Sequence, residues 1–250
     1  MKTSFDKHVL NLLEVDDFSP ESNSPLRFWY KHLKSFAKKN DGDIFEFGVY
    51  RGKSIIAAAL ILKQLKSKKK IFAFDNFTGF PKLSKFDAFN NFQNRKFFKK
   101  SILKKHKELI EISKFNTNIK NFNPNTISTS GDFSNTSYKF LKKKIDYFNL
   151  NNIEIVPGDF KKTVPNFFKN FNDKISSCNI DCDLYEGYKI VLPFVWKHLS
   201  KNGHIHLDEY YSLKFPGAKI ATDNFCKKNK IKVKKNKVSD GEFERWYITK

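Results

Sequence analysis

Five short apolar runs, DIFEFGV (43–49), IFAFD (71–75), IEIVPGD (153–159), ISSCNIDCD (175–183) and GHIHLDE (203–209), set the main constraint on this chain. Each reads as a buried strand. Helical stretches separate them: SIIAAALILKQL (54–65) after the first, then segments near 161–172 and 186–200. Strands that alternate with helices run in the same direction, so the pattern predicts a parallel, doubly wound α/β sheet. At the end, IKVKK (231–235) and ERWYIT (244–249) read as two closing strands, a hairpin through the loop that contains Asp240 and Gly241. That brings the expected sheet to seven strands, mostly parallel with an antiparallel C-terminal hairpin. A chain of 250 residues can bury one ample core of this kind.

Two stretches fall outside the alternation. Residues 1–40 are mixed, with a helix expected over Ser24–Lys39 after a turn at Pro20. Residues 84–150 form a long insertion. Its first half, SKFDAFNNFQNRKFFKKSILKKHKELIEISKF, is aromatic and lysine-rich and suits amphipathic helix; NTNIKNFNPNTISTSGDFSN, rich in Asn, Ser and Thr, suits loop. Ligands of open sheets bind at the strand C-terminal ends, so an insertion of this length between strands is expected to be a lid. The expected organisation is an N-terminal helical segment, 1–40, and one α/β domain, 41–250, carrying that lid.

Lysine and arginine number 47 against 26 aspartates and glutamates, a formal charge of +21, which raises the question of nucleic acid. Only Arg27, Arg51, Arg95 and Arg245 are arginines. Lys, Asn, Phe and Ile are abundant together, as an AT-rich coding bias would produce, and no RNP, zinc-finger or helix-turn-helix pattern accompanies the charge. A nucleic-acid partner is therefore not expected. Cys178, Cys182 and Cys226 are an odd set without C-x-x-C, which argues against a disulfide framework or a zinc cluster. No apolar run reaches about 18 residues, and MKTSFDKHVL is not a signal peptide, so the expected location is the cytoplasm with no membrane span.

In EFGVYRGKS (46–54) the first strand breaks into a glycine turn and then a helix. Gly48 and Gly52 let the backbone approach a ligand closely, and the helix start offers free N–H groups. The spacing is neither the dinucleotide G-x-G-x-x-G nor a Walker A loop. Asp75 ends the second strand some 23 residues after Gly52, where an acid typically takes ribose hydroxyls. Together they indicate a nucleoside-bearing ligand, and Glu46 adds a carboxylate that can face a positively charged or hydroxylated one. Further on, NIDCDLYEGY (179–188) crowds Asp181, Asp183 and Glu186 against the end of the fourth run. An unpaired buried charge is costly, so carboxylates there imply a use. Asp181 and Asp183 are expected to share a strand face by the period of two.

These blocks resemble the macrocin O-methyltransferase family. GDIFEFGVYRGKS, FAFDNFTGFP (72–81), IVPGDFKKTVP (155–165), IDCDLYEGY (180–188) and GHIHLDEY (203–210) match in order, over about 42–81 and 131–247. The pattern G-D-I-x-E-x-G-V-x-R-G falls on Gly42, Asp43, Ile44, Glu46, Gly48, Val49, Arg51 and Gly52. The resemblance implies a Rossmann-like class I methyltransferase fold that uses S-adenosylmethionine and a divalent metal, Mg²⁺ or another divalent cation, to methylate a sugar hydroxyl. It implies cofactor contacts at Glu46, Gly48, Val49, Tyr50, Gly52, Ser54, Asp75, Gly158 and Asp181, with Gly158 near the adenine. In the family's D-x-D-x-Y pattern the first aspartate, here Asp181, is a metal ligand and the second, Asp183, is the general base. The acidic pair after the next strand, Asp208 and Glu209, supplies the other ligands. A hard divalent ion suits carboxylates and can lower the pKa of neighbouring hydroxyls, while Asp183 takes the proton as oxygen attacks the methyl sulfonium.

Two positions depart from the pattern. Asp208-Glu209-Tyr210 stands where the family usually has Asp-Asp-Tyr, and His204 and His206 replace apolar residues. By alternation His206 shares a face with Asp208, as an extra ligand or as a partner of one, although a histidine at such a place is more often a hydrogen-bonded core residue. Two rival readings are a nicotinamide-dependent oxidoreductase and a basic RNA-binding protein using the lysine-rich 96–107 segment. The glycine spacing argues against the first. The expected partner is a small sugar-containing acceptor: a glycan, a nucleotide sugar or a glycosylated metabolite. Oligomeric state stays open, a homo-oligomer included.

Overall fold

A computed structural model describes residues 5–117, 119, 121–238 and 244–250. Its strands are β1 (Asp43–Phe47), β2 (Ile71–Asp75), β3 (Ile153–Pro157), β4 (Ile175–Ile180), β5 (Leu199–Leu207), β6 (Lys234–Lys235) and β7 (Trp246–Thr249). They form one seven-stranded sheet in the order β3-β2-β1-β4-β5-β7-β6. The first five are parallel, and β7 runs antiparallel between β5 and β6. The expected doubly wound sheet with its closing antiparallel pair is therefore what forms. The loop with Asp240 and Gly241 lies outside the described residues.

The helices are α1 (Lys7–Leu12), α2 (Arg27–Phe36), α3 (Lys53–Gln64), α4 (Lys100–Asn116), α5 (Tyr138–Tyr147), α6 (Phe160–Asn170), α7 (Tyr185–His198) and α8 (Pro216–Lys228). No helix among the described residues is long and apolar enough to cross a membrane. Strand alternation sorts the sheet into two unlike faces. Phe45, Phe47, Phe72, Phe74, Cys178, Ile180, Ile205 and Leu207 meet α6, α7 and α8 in one apolar core. Its phenylalanines stack closely, with ring centroids 4.6 Å apart for Phe47–Phe74 and 4.9 Å for Phe45–Phe72. The other face carries Ile44, Ile71 and Ala73 against Trp29, Tyr30 and Leu33 of α2, the apolar α3, and Leu141 and Ile145 of α5.

That second face also holds buried polar residues. Trp29 Nε1 donates to Ser177 Oγ at 2.9 Å. In register, Glu46 lies beside Asn179 and Asn179 beside His206, a polar row across β1, β4 and β5 one step below the strand ends. Two residues further along those strands come Gly48, Asp181 and Asp208.

The insertion is shorter than its sequence suggests. It contains a 3-10 turn at Phe89–Gln93 and the expected amphipathic helix, α4. Beyond the stretch read as loop, its last residues form α5, which packs with α3 and belongs to the helix layer. Phe92, Phe98 and Ile102 of the insertion bury against Leu213 and Ile220, and Ile127 against Leu184 and Phe215. Helix α2 is also shorter than the expected Ser24–Lys39. Ser24 is spent on a turn, its hydroxyl accepting from Leu26 N at 3.0 Å and its carbonyl from Arg27 N at 3.1 Å.

Candidate active site

The strand order reverses between β1 and β4, and a crevice at such a switch point is where open α/β sheets bind ligands. A cavity of about 750 Å³ lies there, across the C-terminal ends of β1 to β5. Of the sequence-predicted cofactor residues, Gly48, Val49, Tyr50, Ser54, Asp75, Gly158 and Asp181 all line it. Glu46 and Gly52 are not on its wall, which corrects their expected role as contacts. Glu46 is fully buried, its Oε1 accepting from Ser54 Oγ and from Asn179 Nδ2 at 2.9 Å. Gly52 opens α3 at φ 81°, and a Cβ there would stand 2.3 Å from Leu141 Cδ1, so the glycine admits α5.

The glycine turn is pinned from two sides. Gly48 has φ 88°, and a Cβ on it would lie 1.9 Å from the Asp181 carbonyl oxygen, so β1 and the end of β4 can meet only at glycine. Asp75 reaches back from β2. Its Oδ2 accepts from Val49 N at 2.7 Å and Tyr50 N at 2.8 Å, and its Oδ1 from Phe77 N at 2.7 Å. A carboxylate offers about four lone-pair sites, so Asp75 orders the turn and keeps capacity for a ligand hydroxyl. At β3, Asp159 beside Gly158 caps α6 by accepting from Lys161 N at 2.8 Å.

The acids gather on the other side of the switch point, though not by the expected route. β4 ends at Ile180, and Asp183 stands at φ 55°, so Asp181 and Asp183 do not share a strand face. The chain leaves the sheet once the register with β1 runs out, and the turn rather than the strand aims Asp183. Asp208 and Glu209 likewise lie on a 3-10 turn, Asp208–Tyr211, after β5. One carboxylate oxygen each from Asp181, Asp208 and Glu209 lie within 4.8 Å of one another. Asp181, Asp183 and Asp208 line the cavity, whereas Glu209 stands behind that wall. Tyr188 ties the two turns together: its hydroxyl donates to Ile180 O at 2.7 Å and accepts from Glu209 N at 3.2 Å.

Burial pushes the Asp181 carboxyl well above the usual range, and Asp208, Asp183 and Glu209 push it further. Asp183 rises too, through burial and then Glu209 and Asp208, against a smaller pull from Lys214. Burial and the neighbouring Asp208 take Glu209 to about 7. Asp208 differs: burial raises it, but His206, Arg245 and Glu209 together outweigh burial and leave it below its usual value. His206 Nε2 is 3.5 Å from Asp208 Oδ1, close enough for attraction without a formed hydrogen bond, which makes His206 a neighbour of the acid. Asp208 Oδ1 and Glu209 Oε2 are buried without a hydrogen-bond partner.

Several wall residues carry no motif signal. Asp16 comes from the segment before α2, Phe80 precedes the insertion, Phe133 lies within it, and Lys53 opens α3. Lys53, next to the G-x-x-x-G turn, and Phe80, in the FAFDNFTGFP block, were within reach of pattern reading.

The strand order and the position of the cavity place the protein among α/β enzymes that bind a nucleoside-bearing ligand at the switch point. Residues 45–210 match the Methyltransferase domain family, and the chain belongs to that family. It is thus a methyltransferase-fold protein, not a nicotinamide-dependent oxidoreductase. No curated protein matches the sequence. Among solved structures it is similar to CalS11, a calicheamicin methyltransferase, at 21% identity and TM-score 0.62, covering 98% of this chain and 80% of that one. It is similar to the O-methyltransferase NovP at 15% identity and TM-score 0.60, covering 96% and 98%. An O-methyltransferase from Bacillus cereus in complex with SAH aligns at 11% identity and TM-score 0.53, covering 99% and 91%. At these identities the likeness is one of fold.

Proposed function

We propose that the protein is an S-adenosylmethionine-dependent, divalent-metal-dependent O-methyltransferase acting on a sugar hydroxyl, akin to the macrocin O-methyltransferase family. The observation that carries this reading is the corner of half-buried carboxylates, Asp181, Asp208 and Glu209, beside the buried Asp183 on the wall of a methyltransferase cavity. Like charges crowded away from water are unfavourable unless compensated. Two of their oxygens have no partner. That donor set fits a hard divalent cation such as Mg²⁺. Asp181, Asp208 and Glu209 would hold it, with His206 behind Asp208 as an outer neighbour. The bound ion would supply Lewis-acid polarisation of an acceptor hydroxyl.

The chain's own residues do the rest. Gly48, Val49, Tyr50 and Ser54 cradle the methyl donor, Asp75 takes its ribose and Gly158 admits its adenine. Asp183 accepts the hydroxyl proton as the acceptor oxygen attacks the sulfonium methyl. The 84–137 insertion roofs the acceptor side, where Phe80 and Phe133 offer apolar faces to a sugar ring. Support for a sugar acceptor comes from a second structure of CalS11, described as a TDP-rhamnose 3'-O-methyltransferase, at TM-score 0.52 and 19% identity.

The test is methyl transfer from radiolabelled S-adenosylmethionine to a panel of TDP-deoxysugars and glycosides, with and without EDTA. Chelation should abolish transfer and Mg²⁺ should restore it. Calorimetry on Asp181→Ala should lose Mg²⁺ binding while S-adenosylhomocysteine still binds. Undiminished transfer in EDTA overturns the metal, and transfer to no hydroxyl acceptor overturns the sugar reading.

A further inference from the structure

Asp16 lies in the segment between α1 and α2, outside the family match at 45–210. It is only 6% exposed, yet it lines the main cavity together with Lys53 and Ser54. Its backbone N–H donates to Lys53 O at 3.1 Å, which ties the segment to the first turn of α3. Two hydroxyls fix its side chain: Tyr30 donates to Oδ2 at 2.9 Å, and Ser24 donates to the same oxygen. Oδ1 faces Lys53 Nζ at 3.4 Å, and the Lys53 side chain is 62% exposed and free to turn.

A tether for the N-terminal segment needs no such carboxylate. The backbone bond to Lys53 and the packing of Trp29, Tyr30 and Leu33 already hold it. What the site adds is a rigid, buried anion on a cavity wall with a mobile cation beside it. Opposite charges placed side by side match a ligand group that is itself a zwitterion, such as an α-amino acid.

The position within the cavity agrees. Asp75 at the end of β2 and Gly158 at the end of β3 mark the nucleoside side, and the acids after β4 and β5 mark the side where the methyl must arrive. The end of a methyl donor that lies past the ribose from the adenine therefore sits over β1 and the start of α3, against Asp16, Lys53 and Ser54. We propose that Asp16 and Lys53 read the amino-acid end of the methyl donor, Asp16 taking its α-ammonium and Lys53, with the free N–H groups at the start of α3, its α-carboxylate. This rests on the S-adenosylmethionine reading above and adds a discriminating site to it.

Calorimetry with three ligands decides it: S-adenosylhomocysteine, its deaminated homologue with hydrogen in place of the amino group, and methylthioadenosine, which lacks the amino-acid end. The wild-type protein should bind S-adenosylhomocysteine roughly 10- to 100-fold more tightly than the deaminated homologue, the range expected for a charge-assisted hydrogen bond to a buried acid. Asp16→Asn keeps an oxygen for Tyr30 and Ser24 but loses the charge; it should erase that preference and leave methylthioadenosine affinity within about two-fold. Lys53→Met, on an exposed side chain, should weaken both carboxylate-bearing ligands and spare methylthioadenosine. Equal wild-type affinity for S-adenosylhomocysteine and its deaminated homologue overturns the assignment without any variant. An unchanged preference in Asp16→Asn overturns it for Asp16. Wild-type protein that binds none of the three overturns the cofactor reading itself, a distinct result.

Discussion

Asp183 and Glu46 show how the same carboxyl group takes opposite roles at neighbouring places. Asp183 sits on the cavity wall at a left-handed backbone position that only the turn beyond β4 provides. Asp183→Asn keeps its shape and cannot accept a proton. The expected outcome is a fall in turnover of roughly 10²–10⁴-fold with Mg²⁺ and S-adenosylhomocysteine affinities little changed; turnover near the wild-type value removes it as the base. Glu46 lies below the wall, and burial pushes it up to about 8 against hydrogen bonds from Ser54 and Asn179. Its folded pKa is thus raised above the unfolded value, so the folded state holds the proton more tightly. The associated stability is full below the unfolded value of about 4.3, declines as pH rises, and is lost once pH passes the folded pKa. Glu46→Gln cannot titrate. Urea unfolding from pH 5 to 8 should show wild type losing on the order of a few kcal/mol relative to this variant. Parallel pH profiles for the two proteins would refute the shift.

At the scale of elements, the insertion depends on one buried acid. Asp87 is 1% exposed; its Oδ2 accepts from Ser84 N at 2.8 Å and Ser84 Oγ at 2.7 Å, and its Oδ1 from Tyr185 N at 2.8 Å, the first residue of α7. A carboxylate at a helix N-terminus meets free N–H groups and the positive end of the helix dipole. Asp87→Ala leaves that N–H without its partner, at a cost of about 1–3 kcal/mol, concentrated where the insertion joins the domain. Trypsin should then cut within 94–116 several-fold faster while S-adenosylhomocysteine affinity stays within about two-fold. Cleavage at the wild-type rate would show that the apolar contacts of Phe92, Phe98 and Ile102 hold the insertion by themselves.

At the scale of the whole molecule, a ligand that binds only the folded state stabilises it by mass action. S-adenosylhomocysteine at a hundred times its dissociation constant should add about 2.7 kcal/mol. For a chain of this length that raises the melting temperature by roughly 5–10 °C, and NAD at the same concentration should give no shift. A shift with NAD alone would contradict the family assignment.

Much of this architecture was legible in the sequence. The alternation of buried runs with helices predicted the parallel sheet, because each strand direction follows from the helix that precedes it. The glycine turn, Asp75, Gly158 and the acids after β4 and β5 were readable because strand ends carry ligands in this fold, and all but Gly52 and the half-buried Glu209 reach the cavity wall. Local pattern could not say where β4 stops, since Cys182 and Asp183 continue the strand's composition while the register with β1 ends at Ile180. Nor could it find α5, whose two buried residues, Leu141 and Ile145, form a face only against Gly52 and α3. Glu46 alternates correctly for a ligand contact, yet packing of Ser54 and Asn179 encloses it. Asp16 sits in a segment with no motif, and only Tyr30, Ser24 and Lys53, brought together by the fold, turn it into a buried anion on the cavity wall. Sequence determined which residues could lie at the ends of strands, because periodicity is local. Tertiary structure alone decided which of them face the cavity, because burial depends on neighbours distant in the chain.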